Sequence, residues 1–393
     1  MMRKVYVAGV GMIPFKKPGA SDPYHMMGLQ AARLAIEDAG IEYPDVSQAY
    51  AGYVHGHSTC GQHALYGLGM TGIPILNVNN NCASGSTALF LARQAVASGA
   101  AECVLALGFE EMKPGALGVG EHGPTPLDRF NELTLDLVGM PEMPMALRYF
   151  AGAGLTYMQK YGTPLNTFAK IRAKASRHAV HNPFAVFRRE VSEQEVMQDK
   201  VIWPGVMTRL MACPPTCGAA ATILVSEEFA KTRGLRKDVV IAAQEMVTDF
   251  PSTFVERNMI KVVGYDMARV AATKVYESAG VGPQDIDVVE LHDCFAQNEL
   301  LCYESLGLCP EGGAEKFVDD GANTYGGEVV TNPSGGLLSK GHPLGATGLA
   351  QCYELTHQLR GTADRRQVDG ARNALQHNLG MGGACVVTLY QKG

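Results

Sequence analysis

The sequence predicts an α/β protein made of two copies of one βα half, with a non-repeating piece between them. Three observations carry that prediction. Residues 31–46, AARLAIEDAGIEYPDV, and residues 271–286, AATKVYESAGVGPQDI, share Ala-Ala, Ala-Gly, a β-branched residue, Asp and a second β-branched residue at identical offsets. Cys82 is followed by Gly85, Thr87 and Leu89, and His342 by Gly345, Thr347 and Leu349, so offsets of three, five and seven match. From about 113 to 235 the chain repeats nothing and is richer in Met, Pro, Arg and His. A repeated alternation of strand and helix is the pattern of a layered α/β fold.

Taken in order, the start MMRKVYVAGVGMIPF is basic and then apolar, but small residues alternate with valines and a Met-Ile-Pro break follows. It reads as a first strand and turn rather than a signal peptide. The helix of 31–46 leads to the strand YAGYVHG; after Cys82 comes the helix ALFLARQAV and the strand ECVLALGF. The inserted region is partly helical (TPLNTFAKIRAKASRHAV) and reads as a lid. The second half repeats the scheme with the helix of 271–286, the strand VVELHDCF, the helix LAQCYELTHQL and the strand NALQHNLG. The expected division is 1–112 with about 213–250 as the N-terminal half, 113–212 as the inserted domain and 251–393 as the C-terminal half. Pseudo-twofold packing of like halves brings Cys82 and His342 to one centre.

Composition removes several classes of function. The chain has 393 residues, 46% hydrophobic and 18% charged, which is ordinary for a globular protein with a large core. A net charge of −6 argues against nucleic-acid binding. No apolar run reaches the about 20 residues a membrane helix needs, so no integral membrane association is expected. Ten cysteines lack framework spacing and read as reduced thiols. Cys213 and Cys217 form a Cys-x3-Cys pair without a second pair or histidine at zinc spacing, so no metal site is expected.

The chemistry gathers at three segments. Cys82 follows an asparagine run and precedes small residues and an apolar helix, with Asn81 as the candidate N-cap. A thiol in the first turn of a helix feels the positive end of the dipole, which lowers its pKa. The plain alternative is a buried structural cysteine. His342 in SKGHPLGATG stands at its own helix start, placed to activate a thiol or hold an oxyanion. In ELHDCFAQNELL, His292 and Cys294 fall on one face of a strand end and Asp293 on the other, so imidazole and thiol form an acid/base pair. Cys60, Cys103, Cys302, Cys309, Cys352 and Cys385 read as structural.

NNNCASGSTAL, HDCF, NPSGGLLSKGHPLGATGLAQ and ALQHNLGMGGA, in this order, closely resemble the thiolase superfamily, in particular the thiolase domain of sterol carrier protein X. The resemblance runs from VYVAGVGM to VVTLY. It implies the thiolase fold: two pseudo-symmetric βα halves in five αβαβα layers with an inserted loop domain, in a homodimer. It implies thiolysis of 3-oxoacyl-CoA by CoA to acetyl-CoA (or propionyl-CoA) and a shortened acyl-CoA, in fatty-acid or sterol side-chain β-oxidation. Coenzyme A is then a substrate, and no cofactor is implied. Cys82 matches the acyl-accepting nucleophile and His342 the histidine of the Gly-His-Pro loop. Most other thiolases carry Asn-Glu-Ala-Phe at residues 292–295 and a cysteine at the loop where Asn378-Leu379-Gly380 stands here. In the sterol-carrier branch the HDCF cysteine is thought to serve instead, which points to Cys294 as acid/base, beside His292. The backbone amides of Cys82 and Gly380 are the implied oxyanion hole.

The lid residues Arg172, Lys174, Arg177 and His178, and Asn378, are candidates for substrate contacts, against the ordinary reading of a charge run as a solvated face. Cys217-Gly218 replaces a common Asp-Gly, which bears on local packing. A steroid side-chain retro-aldolase and a non-catalytic acyl-CoA or lipid-binding protein of the same fold are the rival functions; retention of Cys82 and Cys294 favours thiolysis. The end at Gln-Lys-Gly is no peroxisomal Ser-Lys-Leu signal, so a bacterial cytoplasm is expected, or a peroxisome in a eukaryote.

Overall fold

The computed structural model describes residues 3–115, 125–139 and 143–393; positions 116–124 and 140–142 of the expected inserted domain lie outside the described residues. The first half runs β1 (Val5–Met12), α1 (Tyr24–Ala39), β2 (Gln48–Gly52), α2 (Cys60–Leu65), β3 (Ile75–Val78), α3 (Ser84–Ser98) and β4 (Cys103–Glu110). The inserted region holds α4 (Asp128–Val138), α5 (Met145–Tyr161), α6 (Leu165–Ala179), α7 (Glu193–Gln198) and a ribbon of β5 (Val201–Trp203) and β6 (Met207–Thr208). Then β7 (Gly218–Ser226) and α8 (Glu227–Arg233) complete the first half.

The second half runs β8 (Val239–Val247), α9 (Ser252–Val255), α10 (Met259–Val262), α11 (Tyr265–Ala279), β9 (Val288–Glu290), α12 (Ala296–Ser305) and α13 (Ala314–Asp319). It continues with β10 (Val330–Thr331), α14 (Gly336–Ser339), α15 (Thr347–Arg360), β11 (Asn373–Gly380) and β12 (Ala384–Lys392).

The strands join in the order β10-β9-β11-β12-β8-β1-β7-β4-β2-β3. Read outward from the middle, both halves give the same sequence of positions: β1-β7-β4-β2-β3 on one side and β8-β12-β11-β9-β10 on the other. A single antiparallel pairing, Tyr6 with Val240, links them. This topology corrects one expected boundary. The segment 239–247 is the first strand of the second half, because β8 pairs antiparallel with β12 as β1 pairs with β7. The halves therefore divide between Arg233 and Val239 rather than at 250.

The repeated AG and D positions have local causes. Gly40 and Gly280 end α1 and α11 in the left-handed conformation, φ 71° and 69°. Five residues on, Asp45 and Asp285 accept the amides of Glu42 and Gly282 and close a short turn ahead of β2 and β9. Helix α1 lies on the first half's five strands and α11 on the second half's, while α3 and α15 pack against each other between the two halves of the sheet. That arrangement is five layers, αβαβα. The inserted helices join the core of the second half: Phe150, Tyr157 and Phe168 share one apolar cluster with Phe295, Leu300 and Tyr303. Phe150 stacks on Phe295 with ring centres 4.9 Å apart, directly behind the His292–Cys294 segment.

Candidate active site

Cys82 sits in the turn between β3 and α3, where the chain doubles back on itself. Asn80 donates its amide to Ser84 Oγ at 2.9 Å, Ser84 Oγ donates to the Asn81 carbonyl at 2.6 Å, and Ser84 N reaches the same carbonyl. Asn81 takes φ +52°, which asparagine tolerates better than most residues. It is therefore not the N-cap: α3 begins at Ser84, and Cys82 stands two residues ahead of it. The thiol is half-buried, and its surroundings push its pKa up to about 12, mainly through burial and then through Glu110; the amides of Cys82 and Met381 pull the other way and lose. This is the opposite direction from the low thiol pKa expected at a helix start, because lost hydration outweighs the two amides.

His342 occupies the matching turn, between α14 and α15. The two turns meet at their matched glycines, since a Cβ on Gly85 would lie 2.6 Å from the Gly345 carbonyl; Gly345 itself presses on β4, where its Cβ would lie 2.5 Å from the Phe109 carbonyl. The matched threonines also act alike. Thr87 Oγ1 donates to the Ala83 carbonyl at 2.9 Å, and Thr347 Oγ1 to the Pro343 carbonyl at 3.0 Å. In the first half that hydroxyl accepts from Asn80 Nδ2; in the second it lies 2.7 Å from His342 Nδ1. Both Thr347 bonds form together when Nδ1 of His342 carries the proton. Its Nε2 then keeps a lone pair, and this buried atom has no hydrogen-bond partner among the described residues. Burial lowers the imidazole pKa to about 3, so His342 is neutral at pH 7.

The His292–Asp293–Cys294 segment lies just past the end of β9, in the loop to α12, one step beyond the strand end expected for it. Asp293 turns away and accepts the amides of Leu337 and Leu338 at 2.7 and 3.3 Å, which fixes the short helix leading to His342. His292 turns inward and packs edge-on to His342, ring centres 5.0 Å apart. The ligand-type atoms of Cys82, His292 and His342 all lie within 4.8 Å of one another. Cys294, 4% exposed, is within electrostatic reach of Cys82 and of Cys213; burial raises its thiol well above the ordinary cysteine range.

Two further residues at the site lie outside the three segments where the sequence gathers its chemistry. Glu110, fully buried at the end of β4, accepts the amides of Val54, His55 and Gly345 at 3.1, 2.9 and 2.9 Å. It thus ties the His342 turn to the first half. Burial outweighs those three donors and pushes its carboxyl up to about 7. Cys213 donates its amide to the Cys294 carbonyl at 2.9 Å, and its thiol is raised by burial and by the nearness of Cys82. Cys217 instead turns to the Met112 carbonyl at 3.3 Å, so the Cys-x3-Cys pair separates.

Several expected substrate contacts fall elsewhere. Arg172 is 2% exposed and donates to Ser339 Oγ at 2.8 Å; burial lowers its guanidinium to about 10. Lys174 is equally buried, paired with Glu299 and bonded to Thr331 Oγ1. His178 bonds the Asn332 carbonyl at 3.0 Å and Thr324 Oγ1 at 2.8 Å. These three cannot meet coenzyme A, because α6 turns that face onto α12, α13 and α14. Arg177 alone of the four is exposed. Asn378 is fully buried between Ser86 and His292 and touches the imidazole rather than open space. Gly380 is pressed against the Cys82 turn, where a Cβ would lie 2.1 Å from the Asn80 carbonyl. The amide from this loop that reaches the sulfur is that of Met381, one residue further on, since Gly380 ends β11 paired with Ala384.

A doubled αβαβα sandwich whose two central helix starts bring a cysteine and a histidine to one point is the architecture of the thiolases. The chain belongs to that family: the thiolase N-terminal domain matches residues 5–228, and the thiolase C-terminal domain-like family matches residues 254–390. It is 57% identical to human "Sterol carrier protein 2", covering 100% of this chain and 72% of that protein. It is 45% identical to "Non-specific lipid-transfer protein-like 2" of Caenorhabditis elegans, over 99% of this chain and 96% of that one. It is 35% identical to "Benzoylsuccinyl-CoA thiolase subunit BbsB" of Thauera aromatica, over 97% and 95%. Among solved structures, "Ltp2-ChsH2(DUF35) aldolase" superposes with a TM-score of 0.83 at 22% identity, covering 99% of this chain and 98% of that one. Human mitochondrial 3-ketoacyl-CoA thiolase in complex with CoA gives 0.75 at 20% identity, over 100% and 98%. These two likenesses carry the fold. Among the described residues no helix is long and apolar enough to cross a membrane.

Proposed function

We propose that the protein cleaves 3-oxoacyl-CoA with CoA, giving acetyl-CoA or propionyl-CoA and a shortened acyl-CoA, through an acyl thioester on Cys82. The observation that carries this reading is the meeting of Cys82, His342 and His292 within 4.8 Å, with the buried Cys294 thiol within electrostatic reach of Cys82. A thiol whose pKa is about 12 is a poor resting nucleophile, so it needs a base at the moment of attack. His342 Nε2, neutral and unpartnered, is that base. The sulfur of Cys82 attacks the 3-oxo carbon as its proton passes to His342, and the oxyanion is held by the backbone amides of the Cys82 and 380–381 loops. The bond between C2 and C3 then breaks. The carbonyl re-forms as the Cys82 thioester, and the electron pair leaves as the acetyl-CoA enolate.

His292 and the now protonated His342 hold the enolate oxygen while the Cys294 thiol gives its proton to C2. The resulting Cys294 thiolate takes the proton of an incoming CoA thiol. The CoA sulfur attacks the thioester and expels Cys82, which recovers its proton from His342. Ping-pong order follows from the covalent intermediate. Coenzyme A enters as a substrate, and no further cofactor is needed for these steps.

A retro-aldolase of this fold needs no acyl-accepting sulfur, and a lipid carrier needs no acid/base set; two imidazoles at the Cys82 sulfur, with a second buried thiol within its electrostatic reach, favour thiolysis over both. The resemblance to thiolases implies a homodimer, supported by β3, which is the outer strand of its sheet and carries Leu76 at 42% exposure. The test is CoA-dependent loss of the enolate absorbance of a 3-oxoacyl-CoA. Cys82→Ala is expected to lower the rate by at least about 10^3-fold, and Cys294→Ala by about 10^2–10^4-fold while leaving Cys82 open to alkylation. A Cys82→Ala enzyme that turns over like the wild type would end this proposal.

A further inference from the structure

We propose that Ser86 and Asn378 are positioning residues that lock His292 as the Nε2–H tautomer, so that it enters the reaction as a hydrogen-bond donor opposite the basic His342. The inference deepens the proposed thiolysis and rests on it for its consequence on rate, although the tautomer itself can be read without any substrate. It starts from the polarity of one buried chain of hydrogen bonds. Tyr390 Oη donates to Gln376 Oε1 at 2.5 Å. That leaves Gln376 Nε2 as donor, and it reaches the Gly348 carbonyl and Ser86 Oγ, both at 2.8 Å. The carbonyl can only accept, which fixes which way the Gln376 amide faces. Ser86 Oγ, already an acceptor, sends its own proton to Asn378 Oδ1 at 2.8 Å. Asn378 Nδ2 is then turned to His292 Nδ1 at 3.0 Å. An amide NH2 can only donate, so Nδ1 accepts and the proton of the neutral ring resides on Nε2.

Every member of the chain is buried, with Tyr390, Gln376, Ser86 and Asn378 at 0% exposure and His292 at 1%. Water is therefore not at hand to reverse any bond, and a reversed member would leave an unpaired polar group in the interior. The chain also crosses the pseudo-twofold. Ser86 belongs to α3 of the first half, Asn378 and Gln376 to β11 and Tyr390 to β12 of the second. Gly348 of α15 makes the crossing possible, since a Cβ there would lie 2.1 Å from Ser86 Oγ and 2.8 Å from Asn378 Oδ1. The peptide of His292 is held as well: its N–H meets His377 Nδ1 at 3.4 Å and its carbonyl accepts Asn298 Nδ2 at 2.5 Å. Burial and the two neighbouring imidazoles, His342 and His377, keep the ring neutral. The two central histidines are thus set in opposite tautomers by different partners, Thr347 for one and Asn378 for the other. One can take a proton from sulfur; the other can only give a hydrogen bond to oxygen.

The test is nitrogen-15 NMR of histidine-labelled full-length protein at pH 7, with the His292 signals assigned through a His292→Gln variant. Wild type is expected to show His292 with Nε2 protonated and Nδ1 bare. Ser86→Ala should mix the tautomers. Asn378→Asp, whose carboxylate can only accept, should reverse them to Nδ1–H. Should the buried carboxylate prevent folding, Ser86→Ala and Asn378→Ala carry the same comparison, with melting temperature as the folding control. A wild-type His292 protonated at Nδ1, or tautomers unchanged in the folded variants, overturns the proposal. In turnover, kcat is expected to fall about tenfold in Ser86→Ala and about 10^2-fold in Asn378→Asp, with KM for CoA within about twofold. A folded Asn378→Asp enzyme with wild-type kcat overturns the positioning role. If wild type itself catalyses no thiolysis, the proposed function fails while the NMR result stands on its own.

Discussion

At Cys82 the resting state and the reacting state make opposite demands. Burial and the Glu110 carboxyl push the thiol up to about 12, so almost none of it is thiolate at neutral pH. Alkylation by iodoacetamide, followed by intact mass, is therefore expected to be slow at pH 7 and to rise close to tenfold per pH unit to beyond pH 9. A midpoint near pH 7 would show that the helix start, not burial, sets the Cys82 pKa. Glu110 itself has its pKa raised from 4.5 to about 7. Since the folded value lies above the unfolded one, its contribution to stability is full below about pH 4.5 and is lost as pH rises through 7. Above pH 7 it is charged and repels a thiolate. Glu110→Gln is expected to lower the apparent Cys82 pKa by about half a unit to one unit, read as faster alkylation at pH 8. An unchanged profile would remove Glu110 from the electrostatics of the site. Nothing in the sequence pointed to this residue, because one acid closing an apolar strand has no motif. Its role comes from three amides that lie distant in the chain, at 54, 55 and 345.

Elements were more legible than single residues, and the reason is that repeats report contacts twice. The offset of three that matched Gly85 to Gly345 marks where the two turns touch; the offset of five marks a threonine that bonds back to its own turn in each half. Gly345→Ala should therefore drive a methyl into the Phe109 carbonyl and the Tyr53 backbone, 2.5 and 2.6 Å away. The expected cost is about 1–3 kcal/mol in urea unfolding, with kcat falling in the same variant because the His342 turn must shift. A variant as stable and active as wild type would mean that the His342 turn does not press on the backbone at the ends of β2 and β4. The lid leaves less of its packing in local sequence pattern. A run of Arg, Lys and His looks like a solvated or ligand-facing stripe, but α6 buries Arg172, Lys174 and His178 against partners contributed by α12, α14 and the 324–332 loop. Charge pairing across 125 residues, Lys174 with Glu299, leaves no local trace in either segment. The boundary near 250 failed for a related reason: β8 looks like any apolar strand, and only its pairing with β12 and β1 assigns it to the second half.

For the molecule as a whole, the sheet is symmetric in topology but unequal at its ends. At one end the two-residue strand β10 is fully buried; at the other β3 is the outer strand, with Leu76 exposed and Met70, 79% exposed, just before it. An outer strand with exposed apolar residues is a template for pairing with another chain. Pairing of two β3 edges about a twofold axis would cover both edges at once and leave no open end. Light scattering at micromolar concentration is expected to give twice the 42.0 kDa chain mass. Leu76→Lys, a charge placed on the edge, should shift the equilibrium toward the single chain. The same substitution should lower kcat, because β3 feeds the Cys82 turn four residues later and Asn77 holds the Gly61 amide at 2.8 Å and Gln62 Oε1 at 2.8 Å. A frayed edge would loosen the turn that aims the sulfur. A wild-type protein of single-chain mass would refute the dimer, and a single-chain Leu76→Lys protein with full kcat would refute the link between that edge and the site.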